Sequence, residues 1–324
     1  MKIGSLEIKG HVVLGPMAGI TNLAYREFMK PFGVGLSYTE MVSDCGLIYG
    51  NAKTFEYLKT SPADRPVGIQ LFGFSAEHAE KAIAICEEKA DYDVLDINLG
   101  CPVYKVTKTG AGSAWLKHPD ALFAYMSVVV SASHKPVTAK IRLGWDEESI
   151  NVEEVVSLLE KAGVSAIAIH ARTAKQGYTG KADYQRIKGL GKKMSVPLVV
   201  SGDIYTPEAA KEAVDATGCQ AVMVARGGVG RPFLVSQINQ YLDTGSYEPD
   251  PGVLQQADYA EDYAKRLIAL HGEETAVREM RGILPKFFSG FPGYKKIRAE
   301  IAANLSSEEQ LQGLLNGIRR RGSL

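Results

Sequence analysis

The chain has 324 residues with 45% hydrophobic and 23% charged content, the composition of an ordinary globular protein able to build one large core and a smaller domain. Lys+Arg and Asp+Glu both number 37, so a partner held by global charge is excluded and any polyanion must be met by a local patch. Cys45, Cys86, Cys101 and Cys219 form no C-x-x-C pair, no metal site is expected, and no apolar run suits a signal or a membrane span. The expectation is a cytoplasmic protein with no membrane partner and no obligate protein partner evident.

Eight short apolar or β-branched runs follow one another along the chain: Val12–Leu14, Leu36–Thr39, Pro66–Leu71, Val94–Asn98, Val137–Ile141, Ala166–Ile169, Pro197–Val200 and Ala221–Val224. Amphipathic stretches lie between them, including Ala76–Lys89, Pro119–Ser133, Val152–Ala162 and Pro207–Ala216. Strands alternating with helices imply a parallel sheet, and eight units over about 240 residues imply a TIM (β/α)8 barrel in preference to a doubly wound open sheet. The alternation stops near residue 243, where Asp243–Gly252 is rich in Pro, Gly and Asp and reads as a linker. Beyond it Val253–Leu270, Glu274–Phe288, Lys295–Asn304 and Ser307–Arg320 are helical in pattern. Residues 1–242 are therefore expected to be a barrel and residues 243–324 a small all-helical domain.

The strand ends carry polar and glycine-rich groups, and the carboxyl ends are where α/β barrels place their chemistry. Gly15-Pro16-Met17-Ala18 after the first strand leaves backbone accessible to a flat ligand, and Gln70 closes the third. The fourth ends Asn98-Leu99-Gly100-Cys101-Pro102; the glycine permits close approach, the proline stops the strand, and the thiol is left on a loop. Two readings of Cys101 are open, a reactive group at the mouth or a small buried hydrophobe. On the fifth strand, Val137, Ala139 and Ile141 face one way and Thr138, Lys140 and Arg142 the other, which sends Lys140 into the barrel. There it needs a partner, a ligand or an ion pair such as Asp96. His170 ends the sixth strand with Arg172 two residues on, and its role is open between structure and catalysis. Ser201-Gly202-Asp203 after the seventh and Ala225-Arg226-Gly227-Gly228 after the eighth read either as tight turns or as a phosphate site built from exposed N–H groups and Arg226. Lys105–Gly112, polar and beside Cys101, is expected to be a mobile lid.

In residues 241–324 eleven Lys/Arg stand against twelve Asp/Glu, whereas 278–298 holds six bases (Arg278, Arg281, Lys286, Lys295, Lys296, Arg298) against Glu279, a net of +5. That run is either a phosphate-contacting face or a solvated surface. The interleaved Phe287, Phe288, Phe291 and Tyr294 read as core sooner than as stacking partners.

In this order, Gly15-Pro16-Met17-Ala18-Gly19, Gln70-Leu71-Phe72-Gly73, Asp96-Ile97-Asn98-Leu99-Gly100-Cys101-Pro102, Lys140-Ile141-Arg142, His170-Ala171-Arg172, Gly202-Asp203-Ile204 and Arg226–Pro232 resemble the tRNA-dihydrouridine synthases, most of all the bacterial B-type subgroup. Ser201 and Ala225 depart from the family pattern, which more often has Asn and Gly there. The resemblance implies a flavin-dependent oxidoreductase with FMN as cofactor and NADPH (or NADH) as reductant. It reduces the C5–C6 double bond of uridines in tRNA, with hydride from flavin N5 to C6 and a proton from Cys101 to C5. It assigns Pro16, Met17, Ala18, Gln70, Lys140, His170, Ser201, Gly202, Asp203, Ala225 and Arg226 to the cofactor. It assigns Asn98 and Arg142 to the RNA substrate, with tRNA as the partner; Lys105 on the lid segment, and Arg281 and Lys295 flanking the Phe-Pro-Gly corner of the basic run, are expected to contact that substrate as well. The rival expectation is an FMN barrel acting on a free pyrimidine, from which the basic helical domain is the distinguishing feature.

Overall fold

The computed structural model describes residues 1–322, apart from the side chains at 302 and 304, so positions 323–324 of the expected helical domain lie outside the described residues. Eight parallel strands close on themselves: β1 (Val12–Leu14), β2 (Leu36–Ser43), β3 (Val67–Phe72), β4 (Val94–Asn98), β5 (Val137–Arg142), β6 (Ala166–His170), β7 (Leu198–Ser201) and β8 (Ala221–Val224). Closure is made by β8 on β1, with Val222, Met223 and Val224 in register with Val12, Val13 and Leu14. All eight expected strands are present. β2 runs four residues further than its apolar pattern suggested, because Glu40 is buried and accepts the Gly19 N–H at 2.5 Å rather than ending the strand in solvent.

Two apolar layers hold the barrel. The outward faces of the strands, among them Val137, Ala139 and Ile141, pack under the helices as the period-two pattern requires. The lower interior is filled by Val13, Leu36, Tyr38, Val94, Ala166, Ala168, Val199, Ala221 and Met223, and the N-terminal hairpin (Lys2–Ile3 and Leu6–Glu7) closes that end with Ile3 and Ile8. Helix starts follow local chemistry. Ser75 caps Ala76–Lys89 by accepting from the His78 N–H, and Thr206 with Pro207 at the first position starts Pro207–Thr217. The last barrel helix, Phe233–Thr244, passes the expected boundary at 242 by two residues before Gly245 ends it in a left-handed conformation (φ 78°).

Four helices follow, Val253–His271, Glu273–Phe287, Tyr294–Asn304 and Glu308–Gly322. They dock on the first barrel helix, Leu23–Met29, through an aromatic cluster. Tyr25 meets Tyr263 edge-on at 5.6 Å, Phe28 lies 6.1 Å from Phe287, and Phe32 meets Tyr259 at 5.1 Å. Such pairs contribute about 0.5–1.5 kcal/mol each beyond burial. Buried Gln256 ties the junction by donating to the Gly230 carbonyl (3.1 Å) and the Phe287 carbonyl (2.9 Å). Gly230 has φ 74°, and a Cβ there would stand 2.5 Å from the Lys286 carbonyl carbon. Phe287 and Phe288 are fully buried, as core residues.

Candidate active site

The mouth of the barrel is organised from below by a buried polar chain. Tyr38 hydroxyl lies 3.2 Å from the Thr138 hydroxyl, which reaches Asp96 at 2.6 Å; Gln70 donates to the other Asp96 oxygen at 2.5 Å. Asn98 then donates to the Gln70 carbonyl oxygen at 2.8 Å and accepts from the backbone N–H groups of Gly100 (3.2 Å) and Cys101 (2.8 Å). Burial, opposed by the hydrogen bonds from Gln70 and Thr138 and by Lys140, pushes the Asp96 carboxyl up to about 6. The strand-end sequence is thus a relay of fixed hydrogen bonds that sets the Cys101 loop. The amides of Gln70 and Asn98 are both part of it.

Cys101 is 9% exposed, at the rim. Burial raises its thiol pKa, against the pull of the Val103 N–H, Arg142 and Lys140, so the group stays protonated at neutral pH. The following segment, the expected lid, is folded against the Cys101 backbone in this structure. Tyr104–Thr107 is a turn of helix, Val106 and Ala111 are buried with Cys101, and both the N–H and the hydroxyl of Ser113 donate to the Cys101 carbonyl at 3.0 Å. A Cβ on Gly112 would lie 2.7 Å from that carbonyl, so the chain is packed onto the thiol's backbone rather than hinged away from it. Lys105 is exposed on this turn.

Across the mouth, Pro16, Met17, Lys140, His170, Ser201, Gly202, Asp203, Ala225 and Arg226 come together around a cleft of about 120 Å³. Ala18 is exposed just outside it. Lys140 makes no ion pair with Asp96; burial and the neighbouring Arg142 pull its pKa down to about 8, with Asp96 and Cys101 opposing. His170 is held neutral, its pKa lowered by burial and by the cations Lys140, Arg142, Arg172 and Arg226. Its Nε2 faces the Arg172 guanidinium at 3.3 Å and so accepts.

Arg172, left unassigned by the sequence, is the organiser of the phosphate side. Its guanidinium is 2% exposed and pairs with both oxygens of Asp203 at 3.0 and 2.7 Å, while also donating to the carbonyls of Thr179 and Gly180. Asp203 sits at φ 54°, a conformation that non-glycine residues rarely adopt, and its carboxylate also accepts from the Ala182 N–H at 2.8 Å. The carboxylate is thereby largely neutralised by Arg172, and its Oδ1 also lies 3.8 Å from the Arg226 guanidinium. With His170 neutral, the cleft presents the positive charges of Lys140 and Arg226. Arg226 is flanked by Tyr178 (4.8 Å) and Tyr205 (5.9 Å). The loops after β7 and β8 fit against each other, since a Cβ on Gly227 would stand 2.2 Å from the Ile204 carbonyl oxygen.

Three further expected residues do not line the cleft. Arg142 spends its hydrogen bonds on the carbonyls of Gly100 (2.9 Å), Thr173 (2.7 Å) and Gly177 (2.7 Å), so it first braces the loops after β4 and β6. Arg281 and Lys295 are exposed on the helical domain, and Arg281 Nε donates to the Leu305 carbonyl at 2.7 Å. Arg278 instead lines a groove of about 480 Å³ between the helical domain and the barrel, together with Lys53, Lys59 and Glu40.

A closed parallel barrel with a cationic cleft after β7 and β8 and a protonated thiol across the mouth defines a cofactor-dependent barrel enzyme. The chain belongs to the dihydrouridine synthase family, whose model, described as "Dihydrouridine synthase (Dus)", matches residues 13–321. It is 34% identical over 306 residues to the probable tRNA-dihydrouridine synthase 1 of Synechocystis sp., covering 93% of this chain and 84% of that protein. It is 32% identical over 304 residues to tRNA-dihydrouridine synthase B of Pseudomonas aeruginosa, covering 93% and 90%. The fold is also similar to an old yellow enzyme homologue from Zymomonas mobilis, with a TM-score of 0.53, 13% identity and coverage of 78% and 93%.

Proposed function

We propose that this enzyme reduces the C5–C6 double bond of uridines in tRNA, with FMN as the resident cofactor and NADPH or NADH as reductant. The observation that carries the reading is a buried, protonated thiol on the loop after β4, within charge reach of Lys140, which itself lines the anion-ready cleft with Arg226. FMN fits the donor set: Lys140 and Arg226 line the cleft, and Asp203, the carboxylate there, has both oxygens taken by Arg172 and stands 3.8 Å from Arg226. Arg226 with the loops of Ser201, Gly202, Asp203 and Ala225 would hold the phosphate, and Pro16, Met17, Ala18, Lys140 and His170 would border the ring system. When bound and reduced, FMN supplies hydride.

The residues of the chain do the rest. Lys140 places positive charge beneath the mouth and Arg142 fixes the loops on either side of it. Asn98 and Gln70 orient the Cys101 loop, and the Cys101 thiol gives its proton to C5 of the uracil, a role suited to a group whose pKa lies above the working pH. A uridine must leave its stack to reach the mouth. The helical domain then serves as the platform for the rest of the tRNA, with Arg278, Lys53 and Lys59 along the groove and Lys105, Arg281 and Lys295 as outer phosphate contacts. Purified protein with NADPH and tRNA lacking dihydrouridine should form dihydrouridine, measured by mass spectrometry of nucleosides. Turnover of free uracil or dihydroorotate in place of tRNA would refute the substrate assignment.

A further inference from the structure

Away from the cleft, Asp44, Cys45 and His78 bring three ligand-type atoms within 4.8 Å of one another, the one such group among the described residues. Asp44 and Cys45 begin the short Asp44–Ile48 helix after β2, and His78 lies in the first turn of Ala76–Lys89 after β3. Thirty-three residues separate the cysteine from the histidine, which is why no local spacing motif announces the group. Asp44 is 4% exposed. One carboxylate oxygen accepts the Cys45 N–H at 2.5 Å; the other, Oδ2, is buried without a hydrogen-bond partner. Room for that oxygen exists only because position 73 is glycine, where a Cβ would stand 1.9 Å from it. A buried carboxylate oxygen with no donor is costly, and no lysine or arginine pairs with Asp44 among the described residues.

We propose that Asp44, Cys45 and His78 form a zinc site, with a carboxylate oxygen of Asp44, Cys45 Sγ and His78 Nδ1 as ligands. Zinc–sulfur and zinc–nitrogen bonds of about 2.3 and 2.0–2.1 Å at a tetrahedral angle set the two donors about 3.6 Å apart. Cys45 Sγ and His78 Nδ1 stand 3.4 Å apart. The soft thiolate with imidazole and carboxylate selects zinc over calcium or magnesium, which take oxygen ligands. Cys45 and His78 are half-buried, so the ion enters from solvent and water completes the tetrahedron. Binding releases the Cys45 thiol proton to solvent, and the cation then neutralises thiolate and carboxylate together. The site is a brace rather than a catalytic centre. It joins the loops after β2 and β3, and the Gly73 carbonyl accepts from Trp115 Nε1 at 2.9 Å, on the same turn as the Ser113 that holds Cys101.

The test titrates zinc chloride into tag-free, chelator-stripped full-length protein against a chromophoric competitor, with bound metal counted by elemental analysis. Cobalt chloride is the spectroscopic probe for a metal–thiolate band in a difference spectrum. The wild type should take up one zinc per chain, show that band, and gain thermal stability with zinc. Cys45→Ser and His78→Gln should each weaken binding at least about tenfold. His134→Gln, on an exposed histidine elsewhere, should bind as the wild type does. If Cys45→Ser does not fold, His78→Gln decides. No uptake by the wild type, or uptake equal in both ligand variants, overturns the proposal and leaves Cys45 and His78 as a simple thiol–imidazole hydrogen bond.

Discussion

Removing the Asp203 carboxylate tests whether the phosphate side of the mouth is held by one buried ion pair. In Asp203→Ala the Arg172 guanidinium, 2% exposed, loses two charge-assisted bonds of 3.0 and 2.7 Å. Orphaning a fully buried charge costs about 3–5 kcal/mol. Here the side chain of Asp203 is 28% exposed, and Arg172 keeps the carbonyls of Thr179 and Gly180. Solvent screening at the exposed end lowers the expected cost to about 2–3 kcal/mol. For a barrel of this size that is a fall in melting temperature of about 3–6 °C. The loop after β7 also loses the anchor that holds position 203 at positive φ, so bound FMN should fall in parallel. The assay is thermal unfolding followed by circular dichroism, with flavin per chain measured on the same sample. The double variant Arg172→Met/Asp203→Ala should recover part of the stability, because no unpaired charge remains, but not the flavin. A single variant with unchanged melting temperature and full flavin content would refute the reasoning.

Lys140 carries the pH dependence. Its pKa of about 8 lies below the ordinary lysine value, so as pH rises through 8 the folded enzyme loses this charge while an unfolded chain keeps it. FMN retention should therefore decline above pH about 8, and Lys140→Arg should remove that decline; a profile flat to pH 9 in the wild type contradicts the assignment. Gly230→Ala forces a Cβ against Lys286 at φ 74° and should loosen the helical domain, weakening tRNA affinity while leaving flavin content intact, as judged by gel shift and absorbance. Arg278→Ala should lower tRNA affinity and flatten the log–log salt slope by about 0.7–0.9. Arg281→Ala should instead lower the helical domain's stability first, since its Nε holds the Leu305 carbonyl, and chemical denaturation distinguishes the two.

The barrel was readable because each strand is a short apolar run and each helix an amphipathic one, and these periods survive whatever the tertiary contacts are. Lys140 pointing inward followed from alternation along β5. Where the reading fell short, the missing information was long-range. The second strand was read to end at Thr39 because nothing local reveals the Gly19 N–H that donates to Glu40. Arg172 passed as a neighbour of His170, whereas its importance lies in Asp203, thirty-one residues away. The polarity of Lys105–Gly112 gave no sign that Val106 and the bare Cα of Gly112 pack against Cys101. The bonds that tie the Gln70 and Asn98 amides to each other and to Asp96 were not legible either, because they join three adjacent strand ends that only the closed barrel brings together.

The central claim is that Cys101 supplies the proton that completes reduction of uridine. The measurement is dihydrouridine formed per enzyme on tRNA lacking the modification, by wild type and Cys101→Ala, alongside the rate of FMN reduction by NADPH in each. The account predicts product formation lower by about 10²–10⁴-fold with FMN reduction unchanged, because the thiol acts on the uracil alone. Wild-type product formation by Cys101→Ala would contradict it.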